Sequence, residues 1–337
     1  MPQKPATMRD VANKAGVSIQ TVSAVVNGKD GISQQTRNRV LDVVKQLNYK
    51  RDPIARSMRT GQTGLVGLLI QDITNPILSK IASQVDALVS AEDHNVVLCN
   101  ASSEPDRERA YLELVENRLI DGLIVVNAVD QAHTLAVLEK TATPAVFIDS
   151  LTRPSVPSVS TDDVRGAYLA TQYLIEQGHQ RIAHISGATA LEITQRRIRG
   201  YTQALSDYGL TFHRVVSPES TRWDYKAGYE AMRQILAEDQ VVTAVFAAGD
   251  EMALGAYRAL FECGLSIPGD VAIVGFDDIE AAAYATPSLT TIRQPFAEMA
   301  SRAVSLLFQI IRGQPSEPVQ IMLDPELILR ESTAANS

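Results

Sequence analysis

The sequence predicts an α/β protein with a small all-α N-terminal unit, and three features carry that prediction. Apolar runs of strand length recur from residue 65 to residue 276, most of them separated by helical stretches. The first fifty residues hold no such run and instead place apolar residues at helical spacing, punctuated by Gly16 and by Asn27-Gly28. Charge divides the chain at the same place: residues 1–62 hold 11 Lys and Arg against 4 Asp, whereas the 337-residue chain carries a net charge of −8.

The N-terminal elements follow in order. In TMRDVANKAGV, Thr7 and Asp10 have the spacing of a capping box, and Val11, Ala12 and Ala15 fall on one apolar stripe. Gly16 accepts the positive φ of a tight turn, and Ser18 caps a second helix whose Val22, Val25 and Val26 face back onto the first. This pattern predicts a helix-turn-helix, whose second helix enters the major groove by its N-terminal end. Ile19, Gln20, Thr21 and Ala24 then reach base edges or phosphates, with Thr7, Ser18, Ser23 and Asn27 as further candidate DNA contacts. Gln20 suits bidentate reading of an adenine, and Ile19 suits a thymine methyl. Ser33 starts a third helix with Val40, Leu41, Val43, Val44 and Leu47 at core spacing. The overall acidity does not exclude DNA, because phosphate attraction acts within about a Debye length, ~8 Å at physiological salt, and the basic charge is local.

Asp52 to Thr60, DPIARSMRT, comes next. Pro53 suits the first turn of a helix, but nine residues are too few to persist alone in water, so this segment is expected to order on DNA or against a partner copy. Arg56 and Arg59 flank Met58, an apolar residue of the kind that can wedge into a base step.

Strand-like runs follow at 65–70, 96–100, 122–126, 145–149, 182–186, 244–248 and 271–276. The alternation falters at 150–163 and resumes, which predicts two lobes of doubly wound parallel sheet. Ligands bind such sheets beyond the carboxyl ends of the strands, here a polar ring of Gln71, Asp72, Asn100, Asn127, Ser186, Gly187, Gly249, Asp250, Asp277 and Asp278. No P-loop, GxGxxG after a strand, GxSxG elbow or metal-spaced His/Cys cluster is present, so neither an enzyme nor a cofactor or metal protein is expected. Cys99 and Cys263 both read as buried thiols. With no run of 18 apolar residues and no secretory start, the expected location is cytoplasmic, away from the membrane.

The stretch TMRDVANKAGVSIQTVSAVVNGKDGISQQTRNRVLDVVKQLNYKRDPIARSMRTGQT resembles the headpiece and hinge of the LacI/GalR transcription regulators, relatives of the lactose and purine repressors. The resemblance continues through TNPILSKIASQVD, VENRLIDGLIVV, GAYLATQYLIEQGHQRIAHISG, AGDEMALGAYRAL, VAIVGFDDIEAA, PSLTTIRQP and LILRES, and so spans nearly the whole chain. It implies a headpiece at 1–51, a hinge helix and linker at 52–63, and a periplasmic-binding-protein-like effector and dimerisation domain at 64–337. The first lobe is expected at 64–161 plus 293–322, and the second at 162–292 plus 323–337. Met58 stands where the family inserts a leucine into the minor groove, and Ala24 where relatives often carry a longer side chain.

For the effector, the resemblance implies Arg197, Asp277 and Trp223, with Asp162 at the crossover. Ile77, Leu78, Leu191, Ile193 and Gly249 occupy further pocket positions, with aliphatics and a glycine where relatives carry aromatic or polar groups, which argues against a purine. The chain stops soon after LILRES with no leucine heptads, so a homodimer is expected, binding a double-stranded inverted-repeat operator. A repressor controlled by a small polar metabolite is the leading expectation. A protein corepressor acting on the first lobe is the alternative within the class, and a solute receptor the alternative outside it.

Overall fold

The computed structural model describes residues 6–26, 28, 30–49, 61–150, 156–189, 191–218, 223–238, 241–314 and 320–333. The chain divides into two compact units, Met1–Thr63 and Gly64–Ser337.

The first unit holds three helices, α1 (Met8–Ala15), α2 (Ile19–Val26) and α3 (Gln34–Gln46). The capping box forms as spaced: the Thr7 N–H donates to Asp10 Oδ2 at 2.8 Å and the Asp10 N–H to Thr7 Oγ1 at 3.3 Å. Gly16 adopts φ 65° and ends α1, and Ser18 Oγ accepts from the Thr21 N–H at 3.1 Å to start α2. Val11, Ala12, Ala15, Val22, Val25, Val40 and Val43 form the core, with Val26, Val44 and Leu47 at its edge. Leu41 departs from expectation: it is exposed on α3, one residue off the stripe through Val40 and Val43.

The second unit contains two six-stranded sheets. The first runs β11 (Gln320–Leu323), β5 (Ser158–Thr161), β4 (Ala145–Ile148), β3 (Gly122–Val126), β1 (Leu65–Ile70), β2 (Asn95–Asn100), all parallel. The second runs β12 (Glu326–Ile328), β10 (Thr290–Arg293), β9 (Ala272–Asp277), β8 (Ala244–Ala247), β6 (Ile182–Ile185), β7 (Arg214–Val216), parallel except where β12 meets β10. Alternate residues serve opposite faces. In β1, Val66, Leu68 and Ile70 pack on α4 (Pro76–Ala91) and α12 (Phe296–Ile311), while Leu69 packs on α5 (Pro105–Glu116) and α6 (Gln131–Thr141). In the second sheet, Ile182, Ala244 and Phe246 face α7 (Asp163–Glu176) and α8 (Glu192–Asp207); Ala183, Val245 and Ala247 face α9 (Tyr225–Leu236) and α10 (Asp250–Glu262). A short α11 (Glu280–Tyr284) follows β9.

The chain passes between the sheets three times. Arg293 belongs to β10 in the second sheet and Leu323 to β11 in the first, so these two residues fall in the opposite lobes from those expected. Both crossings lie just beyond a strand end, where ladder pairing stops. The gap read at 150–163 contains β5, and β7, β10, β11 and β12 also lie outside the apolar runs. Cys99 is buried as expected and burial raises its thiol pKa to about 11, but Cys263 is exposed just past α10, with Arg233 Nη1 3.7 Å from its sulfur.

Candidate functional site

Two surfaces meet the chemistry that the sequence points to, one in each unit. In the first, Val22 and Val25 turn inward, so α2 presents Ile19 and Gln20 outward, with Thr21, Ser23 and Ala24 half-buried beside them. Ile19 is 43 % exposed, an apolar side chain with no core to fill, at the N-terminal end of the helix. Thr7 and Ser18 spend their side chains on capping, Ser18 also contacting Thr21 Oγ1 at 2.9 Å. Asn27, Arg56, Met58 and Arg59 lie outside the described residues.

In the second unit a cavity of about 470 Å³ opens between the lobes, within the range of small-molecule sites. The first lobe lines it with Gln71, Asp72, Thr74, Asn75, Leu78, Asn127 and Asp149, largely from the ends of β1, β3 and β4. Asn127 and Asp149 adopt φ 53° and 55°, a left-handed conformation that asparagine and aspartate tolerate better than most non-glycine residues. The second lobe contributes Leu191, Glu192, Ile193, Arg196, Trp223, Asp224 and Glu251.

Behind that wall lies a buried charge cluster. A Cβ at Gly200 would sit 2.1 Å from the Val164 carbonyl oxygen, so glycine lets α8 approach the backbone of α7 and brings Arg196 and Arg197 onto Asp163. Arg197 Nε donates to Asp163 Oδ1 at 2.9 Å, Nη1 donates to the Ala248 carbonyl, and the guanidinium lies 3.7 Å from the centre of the Phe276 ring and 5.1 Å from that of Trp223. Arg196 Nη1 pairs with the other Asp163 oxygen at 3.3 Å. Asp277 accepts from Gln294 Nε2 at 2.6 Å and lies 4.0 Å from Arg197 Nη1. Burial raises the Asp277 carboxyl to about 7 against the pull of Arg197 and Gln294; burial and the charge of Asp163 raise Asp149 to about 6.

Of the candidate effector residues, Leu78, Leu191, Ile193 and Trp223 line the cavity directly. Arg197, Asp277 and Gly249 form the layer behind Trp223: a Cβ at Gly249 would be 3.5 Å from Asp277 Oδ2 and 3.8 Å from the indole. Ile77 packs against the cores of both lobes, and Asp162 caps α7 through the Arg165 N–H at 2.9 Å. Several members of the polar ring are spent on structure, among them Asp278, which accepts from Arg293 Nε and Arg330 Nη2, and Ser186, whose hydroxyl meets Ser217 Oγ. Asn100 accepts from the Ile73 N–H, and buried Asp250 accepts from Thr291 Oγ1 and the Ile279 N–H. Sequence reasoning passed over Asp149, Glu192, Arg196, Asp224 and Glu251. Asp149 ends a strand and carries the same signal as Asn127, whereas the other four come from helix starts whose orientation only the packing reveals.

A helix-turn-helix unit joined to a two-lobed parallel-sheet domain with a polar cleft defines the class of DNA-binding transcription regulators. Residues 7–52 match the family described as bacterial regulatory proteins, lacI family, and residues 171–333 match the periplasmic binding protein-like domain. The chain is 33 % identical to the HTH-type transcriptional repressor PurR of Histophilus somni (strain 129Pt), over 97 % of this chain and 98 % of that one. It superimposes on the lac repressor dimer bound to operator and the anti-inducer ONPF with a TM-score of 0.89 at 30 % identity, covering 98 % of this chain and 100 % of that one. A LacI family regulator from Enterococcus faecium with bound ribose matches at a TM-score of 0.73 and 31 % identity, over 81 % of this chain and 100 % of that one. The chain belongs to the LacI family of bacterial transcription regulators and is a transcriptional repressor, not an enzyme. Among the described residues no helix is long and apolar enough to cross a membrane, and no cluster of His, Cys, Asp or Glu is arranged to hold a metal ion.

Proposed function

We propose that this chain is a dimeric cytoplasmic repressor whose affinity for an inverted-repeat operator is set by a small polar metabolite bound between the lobes. The observation that carries this reading is the cleft of about 470 Å³, to which both lobes contribute polar strand-end or helix-start groups together with the half-buried Trp223. A ligand touching both lobes binds one interlobe arrangement better than another, and only such differential affinity shifts a regulator between states; couplings of about 1–3 kcal/mol are typical. Leu78, Leu191, Ile193 and Trp223 form its apolar side, with Ile77 packed behind it, and Arg197, Asp277, Gly249 and Asp162 support it from behind or from the crossover. On DNA, Ile19, Gln20, Thr21 and Ala24 face bases, with Thr7, Ser18, Ser23 and Asn27 beside the backbone, and Arg56, Met58 and Arg59 act at the operator centre. Domain limits of 1–51, 52–63 and 64–337 assign these roles to headpiece, hinge and effector domain. The ribose-bound relative supports a sugar-sized effector.

The test is operator binding by the full chain on a DNA site selected from a random pool. An inverted repeat is expected, with affinity that changes when the effector is added. Selection of a single asymmetric half-site would overturn the dimer, and a metabolite panel that occupies the cleft without moving operator affinity would overturn the control mechanism.

A further inference from the structure

The chain enters its second unit at Gly64, where three hydrogen bonds hold it. Gly64 adopts φ 75°; its N–H donates to Asp121 Oδ2 at 2.7 Å, its carbonyl accepts from the Asn95 N–H at 2.9 Å, and the Asp121 N–H donates to the Leu65 carbonyl at 2.8 Å. Asp121 lies just before β3 and Asn95 opens β2, so both strands that flank β1 grip its start. His94 stands behind this grip. Its Nε2 is 3.5 Å from Asp121 Oδ2, its Nδ1 is 2.7 Å from the Glu92 carbonyl oxygen, and its ring packs edge-on against Phe308 of α12.

Both ring nitrogens thus face oxygens that accept, a carbonyl and a carboxylate. A neutral imidazole carries one N–H. On Nδ1 that proton serves the Glu92 carbonyl and leaves the Nε2 lone pair facing Asp121; on Nε2 it serves Asp121 and leaves Nδ1 facing the carbonyl. Only the doubly protonated ring donates to both. Nε2 is buried and makes no hydrogen bond to the described residues, so water does not relieve the conflict there. The other charges near the ring offset one another or are solvated. Glu92, on the same turn, pairs with Arg312 at the end of α12, whose guanidinium lies 5.7 Å from the centre of the Phe308 ring, and Asp93 is exposed. Asp121 is the carboxylate that faces the ring.

We propose that His94 and Asp121 form a proton-dependent clasp that positions the chain at Gly64. With the ring charged, Asp121 is held between the imidazolium and the Gly64 N–H. With the ring neutral, the Nε2 lone pair opposes the oxygen that holds Gly64, and the clasp loosens. Imidazole is the side chain whose charge ordinarily changes between about pH 5 and pH 8. The consequence for DNA rests on the reading of residues 52–63 as the hinge: the clasp fixes the base from which the hinge meets the operator, so operator affinity falls as pH rises. Residues 1–63 contain no histidine to give the same response. His94 and Asp121 are positioning residues, acting on DNA through Gly64.

The test is amide hydrogen exchange of residues 61–66 together with operator affinity, both on the full-length protein at pH 6 and pH 8 and at one ionic strength. Protection from exchange, corrected for the intrinsic effect of pH, is expected to be at least threefold lower at pH 8 in the unaltered protein. His94→Gln is uncharged at both pH values and is expected to show equal protection. Asp121→Asn keeps an acceptor for the Gly64 N–H but loses the charge, and is expected to respond as weakly. Between pH 6 and pH 8 operator affinity is expected to fall at least threefold further in the unaltered protein than in either variant. Equal protection at the two pH values in the unaltered protein, or a full pH response in folded His94→Gln, would overturn the clasp. Should neither variant fold, exchange in the unaltered protein still decides. His94-dependent protection with operator affinity changing alike in all three proteins supports the clasp and counts against the hinge reading instead.

Discussion

Trp223 lies flat against Gly187, so closely that a Cβ on that glycine would sit 2.3 Å from the indole carbons Cε2 and Cζ2. Gly187 follows β6, and Trp223 precedes Asp224, which caps α9 through the Ala227 N–H at 2.9 Å. The absence of one methyl group at a strand end therefore sets where the one tryptophan of the chain stands in the cleft.

Gly187→Ala should displace the indole, because overpacking at a tight contact costs roughly 1–3 kcal/mol and the partly exposed ring can move more easily than the strand. The expected result is a shifted emission maximum and effector affinity lowered about tenfold, with operator binding retained in the absence of effector. An emission spectrum and affinity identical to those of the unaltered protein would show that the indole does not rest on this glycine in solution.

Arg197→Met should act on stability as much as on binding. The replacement leaves Asp163, fully buried, with the Arg196 contact at 3.3 Å as its remaining ion pair, and frees the Ala248 carbonyl that Arg197 satisfied. Removing one partner of a buried pair costs roughly 3–5 kcal/mol when no counter-ion remains, and the surviving Arg196 contact should keep the loss below that range. Thermal unfolding of the effector domain is expected to fall by several degrees. Lost effector binding with unchanged melting would instead mark Arg197 as a direct ligand contact whose ion pair contributes nothing to the fold.

How far the molecule is legible from its residues depends on what each element buries. Strands β1, β3, β8 and β9 are covered on both faces, so they appear as unbroken apolar runs, and the helices between them follow. Strand β5, Ser158–Thr161, is just as buried but spells Ser-Val-Ser-Thr, and β10 begins with two buried threonines, hydroxyl-bearing stretches that carry no apolar signal. Their place is fixed by partners more than a hundred residues away in one case, Gln320–Leu323, and by hydrogen bonds from Thr290 and Thr291 in the other. The cleft shows the same division. Strand-end position points to Asp72, Asn127 and Asp149, but that Arg196 and not Arg197 lines the cavity depends on how α8 is seated on α7 at Gly200, which no local pattern encodes.

Asp277 should make effector-domain stability fall as pH rises from about 4 to about 7. Burial raises its pKa to about 7 from an unfolded value near 3.8, so between those values the folded state holds a proton that the unfolded state has released. Its contribution is complete below about pH 3.8, declines as pH rises and is gone above about pH 7. Asp149, raised to about 6, adds to the same slope. Asp277→Asn should therefore shrink the fall in melting temperature between pH 5 and pH 8 without removing it. An equal fall in the variant would mean that Asp277 is already ionised in the folded protein at pH 5.

Gln20→Ala separates base reading from simple attraction to DNA. Gln20 is exposed near the N-terminal end of α2, with Val22 buried two positions on, so the truncation touches no core contact and should leave headpiece stability within about 0.5 kcal/mol. A bidentate amide-to-adenine contact discriminates by about 1–3 kcal/mol, so selection of operators with the variant should relax one position in each half-site and leave the others intact. Ile19→Ala should relax a neighbouring position by less, since its contact with a thymine methyl is apolar and partly compensated by water. Both variants should keep the salt dependence of binding, because neither removes a phosphate-neutralising charge. If Gln20→Ala instead lowers affinity evenly for every sequence, the side chain serves the backbone, and base reading would have to pass to Thr21 and Ala24.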